Sequence, residues 1–580
     1  MQPTYTLVIR NGTIHDGTGR APFVGDVALA GDRIAAVGAV DGRGAEEIDA
    51  QNLLVTPGFV DIHTHYDGQA VWDSYLAPSS WHGVTTVVMG NCGVGFAPVK
   101  RPDRDRLIAL MEGVEDIPAP ALHEGLDWSW ESFADYLAVL DRRPRDVDVC
   151  AQLPHGPLRV FVMGERASFR EAATGEDIAR MRVLTAEAMR AGAFGFTTSR
   201  TISHKTLAGE YTPSLRATEA ELTGIALGLK DAGHGMLEVV SDWDLPDAAG
   251  EFAMLRRVVE AARCPLVFSL SQRHDRTEVW RELLALSVQA AREGVSMRPV
   301  VPPRPIGILL GLDGSQNPFG ATPGYRAIAH LPLAERVRRL RDPAMRARIL
   351  SEDRFADSTF ALLPRLSFER MFPFGEPPDY EPPRAASVAA RAAREGRSAE
   401  HVAYDALLGN DGHDFLFAAL TNYADFTLDP VHAMLSDRNA LVGLGDGGAH
   451  VGFISDASFP TFLLTHWGRD RSEGKFDLAD LIRRQTSDTA QAVGLHDRGV
   501  LAPGMLADLN LIDFPRLGLA RPYMVADLPA GGRRLLQKAS GYAATIKSGV
   551  ATYRDGTPTG RLPGRLVRAG SGEQSRRTSP

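Results

Sequence analysis

Residues 53–69 read "LLVTPGFVDIHTHYDGQ", an apolar run that ends on two histidines one residue apart, His63 and His65. Side chains alternate faces along a strand, so residues i and i+2 point the same way. Both imidazoles therefore project together from the C-terminal end of a buried strand, an arrangement suited to gripping one metal ion. The pair alone is equally compatible with a histidine-rich turn, and the rest of the chain decides between the two.

Outward from this stretch, the texture of the sequence divides. The first ~55 residues alternate apolar and polar positions ("TYTLVIRNGTI", "GDVALAGDRIAAVG"), with Asn11-Gly12 and Gly31-Asp32 as turn signals. Beyond Thr56, apolar segments alternate with helical ones. Thr218 and Glu221 form a T-x-x-E cap, Leu222, Ile225, Ala226 and Leu229 follow at one-face helical spacing, and Gly233 supplies the stop. The strand candidates are "GFVDIHTH", "TTVVMGNC", "DVCAQLP", "FGFTTS", "MLEVVS", "PLVFSL", "VSMRPVV" and "ALVGLGD". Continuous apolar strands alternating with helices indicate a parallel sheet, and eight of them predict a (β/α)8 TIM-like barrel, with a doubly wound α/β fold as the alternative.

The expected domains are a small β-sandwich assembled from both chain ends, residues 1–56 and 495–558, around a barrel at 57–494. A helical insertion at about 303–438 and a disordered polar tail at 559–580 complete the reading.

The 580 residues are 44% hydrophobic and carry a net charge of −9, with both signs mixed along the chain. No basic stripe points to nucleic acid, and no apolar run approaches membrane-spanning length. The three cysteines, Cys92, Cys150 and Cys264, are too scattered for a disulfide framework. Together with an N-terminus lacking a secretory pattern, they predict a cytoplasmic protein. Assembly into a homo-oligomer is left open.

In a (β/α) barrel the chemistry gathers at the C-terminal strand ends. The first predicted strand delivers His63 and His65, the second Asn91 and Cys92, and the third His155. The fourth ends at Ser199 and Arg200, with His204 close behind. The fifth carries Glu238 and Asp242, the sixth Ser269 and Ser271, and the eighth Asp446 followed by His450. Histidine, thiolate and carboxylate together are ordinary zinc ligands. A bound ion would bring the pKa of its water from ~15.7 to ~7. Asp446 would then take a proton on attack and pass it to the leaving group. Each residue also has a plainer reading: Cys92 as a small buried hydrophobe, Glu238 as half of an ion pair, Asp446 as a turn residue, His155 as a hydrogen-bonded core histidine. His204, His450 and His466 read as supporting rather than ligating groups.

"TPGFVDIHTHYDGQ" is similar to the opening of the amidohydrolase superfamily. "HGVTTVVMGNCGVGFAP" and "HGPLRVFVMG" resemble its N-acyl-D-amino-acid deacylase (D-aminoacylase) branch, and "RGVLAPGMLADLNLIDF" resembles the return into the small β domain of such enzymes. The resemblance runs from about residue 5 to about 555. It implies a metal-dependent hydrolase of the amide bond of N-acyl amino acids, with zinc held by His63, His65 and Cys92 and with Asp446 as a catalytic aspartate that is also expected among the metal residues.

The branch places metal-binding histidines at the ends of strands five and six, where this chain has Glu238 and Leu270. Glu238 is therefore expected as a metal ligand, and the ion count is one or two. The lysine that would grip a substrate carboxylate is also missing, so His155, Arg200, Arg273 and His450 become the candidate substrate contacts. The expected partner is a small-molecule amide. The alternative reading is a hydrolase of a cyclic amide, dipeptide, aromatic amide or ester, and a minor one is a non-catalytic binding protein on the same barrel.

Overall fold

The structure, a computed structural model, describes residues 4–244, 246–355, 362 and 366–570. Its centre is a set of parallel strands: β1 (Phe59–Thr64), β2 (Val84–Met89), β3 (Asp148–Ala151, continued at Leu153–Pro154), β4 (Gly195–Arg200), β5 (Met236–Ser241), β6 (Leu266–Ser269), β7 (Met297–Val301) and β8 (Leu441–Val442). Each pairs with its neighbour in sequence order, the first half of β3 with β2 and the second with β4. The ends of this series also meet. A parallel bridge joins Thr64 to Gly447, the Asp446 N–H donates to the His63 carbonyl at 3.1 Å, and the His65 N–H donates to the Gly447 carbonyl at 2.7 Å. The described strands therefore pair in sequence from β1 to β8, and the two ends of the series meet.

Helices follow the strands as the apolar spacing predicts. The helix Glu219–Ala232 starts at Thr218, whose Oγ1 accepts the Glu221 N–H, and stops at Gly233 with φ of +83°. Only half of the expected capping box forms, because the Glu221 carboxylate turns inward to other partners.

Strands from both chain ends form one nine-stranded sheet. Leu54–Pro57 pairs antiparallel with Leu509–Ile512, over a separate core that includes Leu7, Ile9, Val27, Leu509 and Ile546. Asn11-Gly12, expected as a hairpin turn, instead lies within the strand Tyr5–Ile14, where the pairing register shifts. Asn11 has φ of +62°, and a Cβ at Gly12 would come 2.3 Å from Val55. The dipeptide serves a bulge here rather than a turn.

Two further expectations change. Residues 303–438, expected to be helical, contain a three-stranded antiparallel sheet of Gly307–Gly311, Met371–Phe374 and Phe415–Ala419 together with helices. These strands and helices enclose their own core around Ile308, Val337, Met371 and Leu416. Short apolar runs such as "GILLG" fit a buried strand and a buried helix segment alike, so periodicity alone does not separate them. The expected disordered tail is pinned over its first part: Gly564 exchanges backbone hydrogen bonds with Arg145, and Leu566 bridges to Val149 at the start of β3. Residues 571–580 lie outside the described residues. No helix among the described residues is long and apolar enough to cross a membrane.

Candidate metal centre

His63 and His65 leave the end of β1 on the same side, buried to 3% and 1% side-chain exposure. Cys92 arrives from β2 through the turn Gly90-Asn91-Cys92-Gly93, in which Gly90, Cys92 and Gly93 all have positive φ. A Cβ at Gly90 would meet the Gln152 carbonyl at 2.4 Å, so only glycine lets the chain double back here and aim the thiol inward. Cys92 Sγ lies 3.3 Å from His63 Nε2. The ligating atoms of His63, His65 and Cys92 all fall within 4.8 Å of one another, the one such group of His, Cys, Asp or Glu among the described residues.

Asp446 closes the open side. It follows β8 in a left-handed conformation, φ of +47°, which an aspartate tolerates better than most residues. Its Oδ1 sits 3.4 Å from His63 Nε2 and 3.7 Å from His65 Nε2. At 12% exposure its carboxylate reaches towards solvent, as does His450 at 21%. The expected converging set of two imidazoles, a thiol and an aspartate therefore comes together.

Glu238 behaves differently from its expected role as a ligand. Its Oε2 accepts the Cys92 N–H at 3.0 Å, and its Oε1 lies 3.8 Å from Nδ1 of His63, the nitrogen facing away from the converging atoms. It braces the thiol turn and backs the ring of His63, and, like Asp446, it lies outside the group of three mutually close residues. Leu270 is 1% exposed within the main apolar core. It offers no donor.

Two of the expected substrate contacts face elsewhere. On β4, Thr197 turns inward, where its hydroxyl accepts the Gly93 N–H, so alternation sends Thr198 and Arg200 to the outer face. Arg200 Nε donates to Glu251 at 2.6 Å and its Nη1 to the Ala217 carbonyl. His155 lies in the same outer layer, between the Thr198 hydroxyl at 2.8 Å and Glu221 at 3.1 Å, with Arg159 also on Glu221. Neither reaches the converging atoms, and both correct the sequence-based expectation. Arg273 is held by Asp275 and Asp242. His204 receives or donates a hydrogen bond at Ser199 Oγ. Burial and the neighbouring His450 and His65 push its pKa down to about 3, which keeps it a neutral ring.

Carboxylates absent from the sequence reading surround the site. Glu115 Oε1 stands 3.3 Å from His65 Nδ1. Asp61 accepts the His63 N–H at 3.1 Å, and Asp67 accepts the Gly90 N–H at 3.0 Å. The signal for Glu115 was present in "LIALMEGVE": it continues the buried helical face of Ile108 and Met111, a position where an acid is out of place.

The electrostatics are those of a site short of positive charge. Burial raises Asp61 and Glu238 to about 8, lowers His63 to about 4 and drives the Cys92 thiol far up. For His65 burial opposes the charged ring, but Glu115 and Asp446 outweigh it and raise the pKa to about 9. Asp61 Oδ2, Glu115 Oε2 and Glu238 Oε1 are buried with no hydrogen-bond donor among the described residues. Buried carboxylates without partners are costly. A divalent cation among His63, His65 and Cys92 would supply the missing charge, and the donor set suits zinc.

Several known proteins are similar to this chain. D-aminoacylase of Alcaligenes xylosoxydans xylosoxydans is 35% identical over 232 residues, 40% of this chain and 43% of the relative. N-acyl-D-glutamate deacylase of the same organism is 33% identical over 39% of this chain and 42% of its own length. The chain thus matches less than half the length of these curated relatives. Among solved structures, the N-acyl-D-glutamate deacylase of Bordetella bronchiseptica, complexed with zinc and a phosphonate inhibitor, superposes with a TM-score of 0.65 at 22% identity, over 97% of this chain and all of that one. A D-aminoacylase crystal structure gives 0.63 at the same identity and coverage, so the fold is shared. The amidohydrolase family pattern matches residues 46–555, from the small sheet through the metal-facing strand ends and back. The chain belongs to the amidohydrolase family.

Proposed function

We propose that the chain is a metal-dependent hydrolase that cleaves the amide bond of N-acyl amino acids, built on a closed (β/α)8 barrel at residues 57–494 with a small β domain from 1–56 and 495–558. The observation that carries this reading is the convergence of a ring nitrogen each of His63 and His65 with Cys92 Sγ, with Asp446 Oδ1 3.4 Å and 3.7 Å from the two Nε2 atoms. When bound, a zinc ion would supply a water acidic enough to attack an amide carbon at neutral pH. His63, His65 and Cys92 would hold the ion. Asp446 takes the proton of the attacking water and delivers it to the departing amine, a role that requires an ionised carboxylate. Burial opposes that ionisation, and a cation held by the adjacent His63 and His65 would favour it. Glu238 fixes the Cys92 turn.

With Leu270 apolar and Glu238 committed to the Cys92 N–H, we assign one ion per chain. The zinc-loaded protein should release free amino acid from N-acyl-D- or N-acyl-L-amino acids, lose that activity on chelation and regain it with zinc. Turnover confined to cyclic amides, aromatic amides or esters would overturn the substrate assignment and favour the alternative reading.

A further inference from the structure

Glu115 is the last residue of the helix Arg104–Glu115 and is 1% exposed. A carboxylate at a helix C-terminus faces the negative end of the helix dipole, so its burial there needs a compensating partner. Two imidazoles stand close to it, from opposite ends of the strand series, at ion-pair distance and without hydrogen-bond alignment. Oε1 is 3.3 Å from Nδ1 of His65, and Oε2 is 3.6 Å from Nε2 of His450. The next residue, Asp116, accepts the Gly452 N–H at 3.0 Å and the Ser315 hydroxyl at 2.9 Å. The same helix end therefore grips a metal-facing histidine, the loop that carries Asp446 and His450, and the insertion.

We infer that Glu115 is a positioning residue: its carboxylate backs Nδ1 of His65, so that Nε2 is turned to the ion, and it fixes His450 at the mouth of the site. The inference rests on the metal site proposed above. Partners of this kind behind a ligating histidine typically contribute about 10- to 100-fold in metal affinity.

The test is zinc affinity by chelator competition on the full chain, for wild type, Glu115→Met and Glu115→Gln, with thermal melting of each. Glu115→Met keeps length and apolar packing but removes both oxygens, and its zinc affinity should fall by about 10- to 100-fold. Glu115→Gln retains an acceptor for Nδ1–H and should recover most of that loss. Wild-type affinity in a folded Glu115→Met protein would overturn the inference. So would a Glu115→Gln protein that melts like the wild type yet loses the full ~10- to 100-fold in zinc affinity, since an oxygen behind Nδ1 would then not be what positions the ring. If wild type itself takes up no zinc, the metal site fails, and that result is distinct from either of these.

Discussion

Two buried histidine–carboxylate clusters lie within one strand series, and they differ in a single respect. Around His155 every group is answered: Thr198 and Glu221 take the two ring nitrogens, and Arg159 brings a cation that neutralises Glu221 and donates to the Pro213 carbonyl. Around His63 and His65 the carboxylates Asp61, Glu115, Glu238 and Asp446 crowd together, and no lysine or arginine contacts them among the described residues. Orphaned oxygens remain there. A polar cluster that balances its own charge is part of the scaffold, whereas one that leaves charge unbalanced is built for something that arrives later.

The largest effect that would sharpen this contrast is catalytic. Asp446→Asn preserves shape and a ligating oxygen but removes the base, so turnover should fall by about 10²- to 10⁴-fold, with zinc content nearly unchanged. Near-normal turnover in steady-state assays would move the proton-transfer role to another group, His450 first. Within the balanced cluster the outcome should be reversed. Glu221→Ala strands Arg159 in the interior, and breaking a buried pair costs about 3–5 kcal/mol. Chemical denaturation should show that loss, while zinc affinity below the melting transition stays at the wild-type value.

A third cluster offers a pH test. Glu381 is only partly exposed, and although burial opposes it, the His466 ring 2.8 Å away and hydrogen bonds from Arg471 lower its pKa from 4.5 to about 2. A depressed acid contributes stability above its unfolded pKa and loses it as pH falls towards the folded value. Discounted for solvent screening, the contribution is on the order of 2 kcal/mol at neutral pH. The melting-temperature gap between wild type and Glu381→Gln should be widest above pH 5 and shrink as pH falls below 4.5. A constant gap would remove the ion pairing from the account. The smallest effect is expected at Arg200, whose guanidinium serves Glu251 on the outer face. Arg200→Lys should cost some stability and leave KM for N-acyl amino acids unchanged.

Much of the molecule was legible because periodicity and strand-end placement are local. The apolar runs from "GFVDIHTH" to "ALVGLGD" all carry paired parallel strands, though the last is regular only over Leu441–Val442 before the backbone turns left-handed at Leu444 and Asp446. The converging set was legible because three of its members sit at strand ends with unusual chemistry. Arg200 was misread by ignoring parity: Thr197 and Arg200 differ by an odd number of residues and must face opposite ways. His155 takes the plainer of its two readings, a hydrogen-bonded core histidine, because its helix begins at that residue and carries the ring outward towards Glu221. Glu115 lies 50 positions from His65 in sequence, and only the folded chain brings the two together. What the sequence did contain was an acid on an otherwise apolar helix face.

The most direct test of the central claim is the metal itself. Elemental analysis after exhaustive dialysis should give one equivalent of zinc per chain in the wild type, and His63→Ala/His65→Ala should lose it while keeping a cooperative melting transition. A wild type that hydrolyses N-acyl amino acids at full rate without metal, or a double variant that retains its zinc, would contradict the account.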